Sequence, residues 1–289
     1  MEKINKSVDK NLTFKFFDSK WFRVPDWAEA TEKIYREWYL IRYGFLSPDH
    51  LRDFLKNKKS ILDAGCGLGR DSKFFAELNS NLKITSVDQS YYAIDVAKKT
   101  LKSYPNCEVL WGDITELSLS EKFDFISCDQ VIHHTPDPNH TLKVLMSHLN
   151  PNGTIHFSVC RKKNKYREFV DDILMDYARD MTPDELWKFS HTVTQFGKAL
   201  YDLQRGRVNF EGEEYLNIQR FIHDNVFRCW YSPDVDFNLS VSSNYDWFSS
   251  NPRFNEEDVR EKILVGLPPY KEVRFYQDKA TISVVLQKL

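Results

Sequence analysis

In Ile61-Leu62-Asp63-Ala64-Gly65-Cys66-Gly67-Leu68-Gly69-Arg70 an apolar run enters three glycines at GxGxG spacing. Without a Cβ, glycine lets the backbone turn sharply and come close to a bound molecule, which suits a nucleotide-type cofactor at a helix start. The dinucleotide fingerprint GxGxxG needs glycine or alanine three places after its second glycine. Arg70 stands at that place, so a pyrophosphate fits less well. One helix and one strand later, Asp88 ends Thr85-Ser86-Val87-Asp88-Gln89-Ser90. A carboxylate at a strand's carboxyl end can accept both hydroxyls of a ribose; the plainer alternative is that Asp88, Gln89 and Ser90 cap the next helix. Further on stand Gly112-Asp113-Ile114, Asp129-Gln130 and His133-His134. Alone, Gly-Asp is turn chemistry, while a histidine pair offers proton transfer near neutral pH.

These residues need elements that deliver them to one edge. Ser60 to Ala64, Lys83 to Val87, Cys107 to Trp111, Phe123 to Cys128 and Thr154 to Cys160 read as strands. Helices start near Leu68 and Tyr91 and span roughly Asn139 to Leu149, with Ile94, Ala97 and Leu101 at helical spacing. Such alternation with right-handed crossovers gives a parallel sheet. Pro151-Asn152-Gly153 turns the chain into the fifth strand. Upstream, residues 1 to about 20 show little periodicity, Asp26 with Glu29 forms a capping box for a helix reaching Tyr43, and Ser47-Pro48 opens a helix ending near Lys58. After Cys160 the alternation stops and helical signals dominate, with Thr182-Pro183-Asp184-Glu185 as another capping box. The aromatics between Trp187 and Tyr231 require this stretch to fold and pack. Asn255 caps a helix to about Leu264, and Lys271 to Tyr276 and Thr281 to Leu286 form two final strands.

The glycine loop preceded by Asp63, the acids after the second and third strands, and Phe123-Asp124-Phe125-Ile126-Ser127-Cys128-Asp129-Gln130-Val131-Ile132-His133-His134 resemble class I S-adenosylmethionine-dependent methyltransferases, in the small-molecule branch often called type 11 or 12. The resemblance covers about 59 to 160 and 251 to 289. It implies an α/β fold, a Rossmann-like doubly wound seven-stranded sheet, mostly parallel, closed by a hairpin whose last strand is antiparallel. Four stretches follow: an N-terminal helical lid (1–58), the S-adenosylmethionine-binding core (59–160), a helical cap inserted after the fifth strand (161–250) and the C-terminal part of the core (251–289). The implied cofactor is S-adenosylmethionine, leaving as S-adenosylhomocysteine. Asp63, Gly65, Cys66 and Gly67 would hold it at the loop, Asp88 and Gln89 at the ribose, and Asp113 and Ile114 at the adenine. Asp129 and Gln130 would meet its methionine portion partly through backbone.

His133 and His134 then have two readings. Either His134, with His133 the weaker candidate, is a general base for a hydroxyl nucleophile, or the pair only caps and packs its loop. The adjacent histidines have no third ligand at recognisable spacing, so no metal is expected, and His156 reads as a core strand residue. Arg161, Lys162, Lys163, Lys165 and Arg167 follow the fifth strand as a solvated run, or as the holder of an anionic acceptor. Trp21, Trp27, Trp38, Tyr39, Tyr43, Trp230 and Tyr231 read as packing, with a few facing an acceptor.

Forty lysines and arginines against 42 acids give a net charge of −2, and no apolar run is long enough to span a bilayer. Neither nucleic acid nor membrane is an expected partner. The five scattered cysteines fit no disulfide framework or CxxC site, and the polar start lacks a secretory pattern, so a cytoplasmic setting is expected. The [DN]PP[YF] sequence of nitrogen and base methyltransferases is replaced by Asp129-Gln130-Val131-Ile132. The expectation is therefore O-methylation of a small molecule or sugar. The alternatives are a carbon, nitrogen or RNA acceptor, a silent cofactor-binding partner subunit and, third, an NAD-dependent enzyme.

Overall fold

The computed structural model describes residues 10–203, 206–210, 212–249 and 252–289. In chain order the elements are α1 (Lys10–Arg23), α2 (Trp27–Tyr43), α3 (Pro48–Leu55), β1 (Ser60–Ala64), α4 (Arg70–Leu78), β2 (Lys83–Asp88), α5 (Tyr91–Thr100), β3 (Cys107–Trp111), β4 (Phe123–Cys128), α6 (Pro138–Ser147) and β5 (Leu149–Cys160). There follow α7 (Lys165–Ala178), α8 (Pro183–Leu203), β6 (Val208–Phe210), β7 (Glu213–Tyr215), α9 (Ile218–Asn225), α10 (Phe237–Phe248), α11 (Glu256–Asp258), β8 (Tyr270–Gln277) and β9 (Thr281–Lys288).

The chain divides into two compact units. The first contains Pro25–Arg161 and Pro252–Leu289, with the start of α1. Its seven-stranded sheet has the order β3-β2-β1-β4-β5-β9-β8. Strands β1 to β5 pair in parallel, and β9 runs antiparallel to both β5 and β8. This is the doubly wound, mostly parallel sheet expected. Strand order reverses between β1 and β4, the point where such sheets open a crevice at their carboxyl ends. On one side Leu62, Ile126, Phe157, Leu142 and Leu145 are fully buried, and on the other Tyr39, Leu51, Leu55, Phe75 and Phe125 form the second layer. Each such side chain contributes about 1.5–3 kcal/mol by leaving water. Helices α2 and α3 thus supply core side chains to this unit.

Local chemistry starts the helices. Ser47 Oγ accepts from His50 N with Pro48 at the first position, Ser90 Oγ accepts from Ala93 N, and Asp137 accepts from His140 N. Asn255 and Asp258 form a reciprocal capping box, after which Val259–Ile263 continues as a π-helical turn. At α2 the expected box is absent: Asp26 has φ −86° and ψ 6°, not the extended geometry that swings a side chain back onto the helix, and it makes no side-chain cap bond. Strand β5 begins at Leu149, so the expected Pro151-Asn152-Gly153 turn lies inside it as an irregularity, with Asn152 at φ 62°.

The second unit contains Lys15–Val24 and the inserted stretch from Lys162 on. Its helices α7 to α10 pack around Leu186, Val193, Val241, Tyr245 and Trp247, all buried. The Thr182–Glu185 capping box forms as expected. Two features differ from the sequence expectation. The antiparallel hairpin β6–β7 interrupts the helices, and α1 occupies much of a stretch that shows little periodicity. Residues 1–9 lie outside the described residues.

Candidate functional site

Strand β1 ends at Ala64 and the chain turns through Gly65, Gly67 and Gly69 at φ 83°, 51° and 84°. At Gly65 the need for glycine is double, since a Cβ would lie 2.4 Å from Val131 Cγ1. Gly65 and Cys66 donate their N–H groups to Val87 O at 2.8 and 3.0 Å, fixing the loop to β2. Gly67 N donates to Asp88 Oδ2 and Ser90 N to Asp88 Oδ1, both at 2.9 Å. One carboxylate therefore joins the glycine loop to the start of α5, while Ser90 caps that helix. A carboxylate oxygen takes more than one donor, so this role is compatible with receiving a diol. Gln89 O accepts from Trp111 Nε1 at 2.8 Å, and the Trp111 ring stacks on Tyr91 at 5.3 Å. Beyond β3, Asp113 Oδ1 accepts from both the N–H and hydroxyl of Thr115 at 2.8 Å, and Ile114 is buried.

Asp63 lies behind the loop. Its Oδ2 accepts from Ser72 Oγ at 2.5 Å, and the Ser72 and Ser86 hydroxyls are 2.7 Å apart. Burial, then the neighbouring Asp71 charge, pushes the Asp63 carboxyl up to about 7 against the pull of Ser72. Arg70 forms a bidentate pair with Asp71 at 2.7 and 2.8 Å and lies over the Tyr35 ring at 4.3 Å.

Asp129, at the end of β4, is the centre of a buried network absent from the sequence reading. It accepts from Arg42 Nη1 at 2.9 Å, Tyr43 OH at 2.7 Å and Ser158 Oγ at 2.7 Å. Burial works to raise this carboxyl, but Arg42 and then Arg70 hold it below the ordinary carboxylate range. Gln130 follows at φ 59°, its N and Nε2 both donating to Ser158 Oγ at 2.9 Å. Arg42 is one of three cations on α2, with Lys33 and Arg36, and nothing in the sequence singles it out.

His133 and His134 occupy a 3-10 turn, Ile132–His134, with ring centroids 4.1 Å apart. His133 is buried with Nε2 3.5 Å from Cys160 Sγ; His134 is half-buried with Nδ1 shut from solvent. His156 lies elsewhere, in the core. It stacks on Tyr43 at 4.7 Å, and burial, helped by Lys58, lowers its pKa to about 3.

The loop residues and Asp88 are thus joined directly, while Asp113, Asp129, Gln130 and the histidines follow the carboxyl ends of strands in the same β3-β2-β1-β4 row. The cation run separates: Arg161 Nη1 donates to Asp278 O at 2.6 Å, and Arg167 is wholly buried in the second unit, so Arg167 is no member of a solvated face. Of the aromatics expected to pack or to face an acceptor, Trp21, Tyr39 and Tyr43 are buried packing and Trp38 is exposed. Among the described residues no cluster of three or more His, Cys, Asp or Glu could hold a metal, and no helix is long and apolar enough to cross a membrane.

A doubly wound sheet with a positive-φ glycine loop after β1, beside its switch point, joined to a carboxylate at the end of β2, is the build of a nucleotide-cofactor-binding α/β protein. A family model described as a methyltransferase domain matches residues 55–213, and the chain belongs to that family, the class I S-adenosylmethionine-dependent methyltransferases. The chain is 29% identical over 199 residues to a ubiquinone biosynthesis O-methyltransferase of Coxiella burnetii, covering 64% of this chain and 82% of that one. It is 32% identical over 111 residues to a malonyl-[acyl-carrier protein] O-methyltransferase of Halalkalibacterium halodurans, covering 37% and 41%. Among solved structures, the N-methyltransferase NodS of Bradyrhizobium japonicum with S-adenosyl-L-homocysteine is similar at TM-score 0.45 and 14% identity, covering 98% of this chain and 99% of that one.

Proposed function

We propose that the chain methylates a hydroxyl oxygen of a small molecule or sugar, with His134 as general base. The observation that carries this reading is the histidine turn at the carboxyl end of β4, the strand that pairs with β1 and its glycine loop. The names of the Coxiella and Halalkalibacterium relatives, both O-methyltransferases, support the choice of oxygen.

S-adenosylmethionine supplies a methyl group on a sulfonium centre. The positive-φ loop from Gly65 to Gly67, with Cys66, brings backbone close to it, and Asp88 with Gln89 receives the ribose. Asp113 accepts from the adenine amino group with Ile114 against the ring. The Asp129 and Gln130 side chains are engaged with Arg42, Tyr43 and Ser158, so these two residues present backbone to the methionine portion. Asp63 acts from behind, holding α4 against the loop through Ser72.

Charge disperses in the displacement, so orientation of the acceptor and exclusion of water supply most of the rate. With Nδ1 shut from solvent, His134 Nε2 is the nitrogen that takes the acceptor's proton, and His133, seated on Cys160, backs its ring. The test is transfer of a labelled methyl group to a panel of phenols, sugars and hydroxy acids. Label on oxygen is expected, with His134→Gln lowering kcat by about 10²–10⁴-fold while the donor's affinity stays unchanged. Label on nitrogen, carbon or RNA, or an unaffected kcat, contradicts the assignment.

A further inference from the structure

In the second unit one wholly buried guanidinium has more donors than acceptors. Arg167, at the third position of α7, is wholly buried, and its Nε donates to Asp171 Oδ2 at 2.5 Å. Asp171, equally buried, also accepts from Trp247 Nε1 on Oδ2 and from Arg228 N on Oδ1, both at 3.0 Å. Nothing comparable meets the far side of the guanidinium. Nη1 and Nη2 of Arg167 are shut from solvent and reach no hydrogen-bond acceptor.

A second guanidinium stands close by. The Cζ atoms of Arg167 and Arg228 lie 5.2 and 5.0 Å from the centroid of the same Trp247 ring. Arg228 is held in place by Asn244 Oδ1 at 3.0 Å and by the carbonyl and hydroxyl of Ser243 at 2.9 and 2.5 Å. Arg220 pairs with Asp224 and adds no anion to the pair. Asp171 thus meets the Arg167 guanidinium through Nε and Arg228 through its backbone N–H. Buried His223 lies near these cations: burial, then Arg228, Arg167, Arg220 and Lys163, drives its pKa down, and its neutral ring accepts from Cys229 N through Nδ1 at 3.4 Å.

A buried cation is retained where something pairs with it, and desolvated donors without acceptors are expensive. The planar fork of arginine matches a carboxylate or phosphate edge. We propose that the second unit binds an oxyanion, a carboxylate or phosphate group of a small molecule, on the Nη1–Nη2 edge of Arg167, with the Arg228 charge beside it. This does not depend on which atom the enzyme methylates. The site lies within the second unit, and because the fork is closed to solvent, the anion enters through a local opening of that unit.

The test is titration of the full chain with inorganic phosphate and, separately, acetate, at constant ionic strength with chloride as filler. Tryptophan emission is followed beside a Trp247→Phe control, with the thermal midpoint on the same samples and S-adenosylhomocysteine affinity by calorimetry. A saturable Trp247-dependent response and a raised midpoint are expected with one anion, and the two arms separate phosphate from carboxylate. Arg167→Lys, which keeps the charge but not the fork, should weaken this binding roughly tenfold or more and leave S-adenosylhomocysteine affinity unchanged. A non-saturating response, or one equal in wild type and Arg167→Lys, overturns the proposal. Should Arg167→Lys fail to fold, Arg228→Lys takes its place: weakened anion binding supports the site and unchanged binding contradicts it.

Discussion

At Gly65 a single methyl group decides whether the loop can exist. Alanine there would meet Val131 at 2.4 Å on a backbone at φ 83°, so Gly65→Ala is expected to destabilise the fold by about 1–3 kcal/mol and to weaken S-adenosylhomocysteine binding. Chemical unfolding and calorimetry on one preparation check both effects, and an unchanged midpoint would contradict the tight seat. Legible in the sequence were placements set by backbone or strand end: the glycine turn at Gly65 and Gly67, and Asp88 and the later acids past the ends of their strands. Asp63 was legible only as an acid before the glycines. That it lies behind them, on Ser72, depends on α4 folding back over β1, which no local pattern records. Arg42 and Ser158 lie 87 and 29 positions from Asp129 in the chain, and only the fold brings them together.

Among the elements, α2 is tied to the end of β4 by the Arg42–Asp129 pair, both partners almost wholly buried. Removing one partner of a buried pair leaves an uncompensated charge, so Arg42→Met should cost about 3–5 kcal/mol. The double variant Arg42→Met with Asp129→Asn should lose less than the sum of the two singles. A thermal-unfolding cycle checks this, and simple additivity would show that the pair is uncoupled. Helix α2 was expected from a capping box at Asp26 and Glu29 that does not form, and α3 from Ser47-Pro48, which does cap it. Helix α1 was not: Phe14, Phe16, Phe17, Trp21 and Phe22 alternate with lysines around the helix and leave no single apolar stripe. The β6–β7 hairpin has three-residue strands, too short for an alternating pattern to show.

Across the whole molecule, two buried groups in the first unit tilt stability in opposite directions with pH. His156 has its pKa lowered from 6.5 to about 3, so its contribution is complete above 6.5 and is lost as pH falls toward 3. Asp63 is raised from 3.8 to about 7, so its contribution is complete below 3.8 and is lost as pH rises through 7. Between about pH 4 and 6.5 the two slopes oppose each other. His156→Phe should therefore become more stable toward acid across that window, and Asp63→Asn less stable, relative to wild type. Urea midpoints at several pH values check this; parallel profiles for all three proteins would contradict it. At this scale the alternation of strands and helices was the most legible feature, because β1, β2 and β4 are each short, largely apolar and followed by a helix. The division into units was less so, since α1 enters the second unit from the far end of the chain.

The central claim is that Asp88 and the glycine loop form an S-adenosylmethionine site. Its most direct test is calorimetric titration of wild type and Asp88→Ala with S-adenosylmethionine, S-adenosylhomocysteine and NAD. Binding of the two sulfur compounds with Kd on the order of micromolar, none for NAD, and loss of both in a folded Asp88→Ala protein is the expected result. Binding of NAD, or undiminished affinity in Asp88→Ala, would contradict the account.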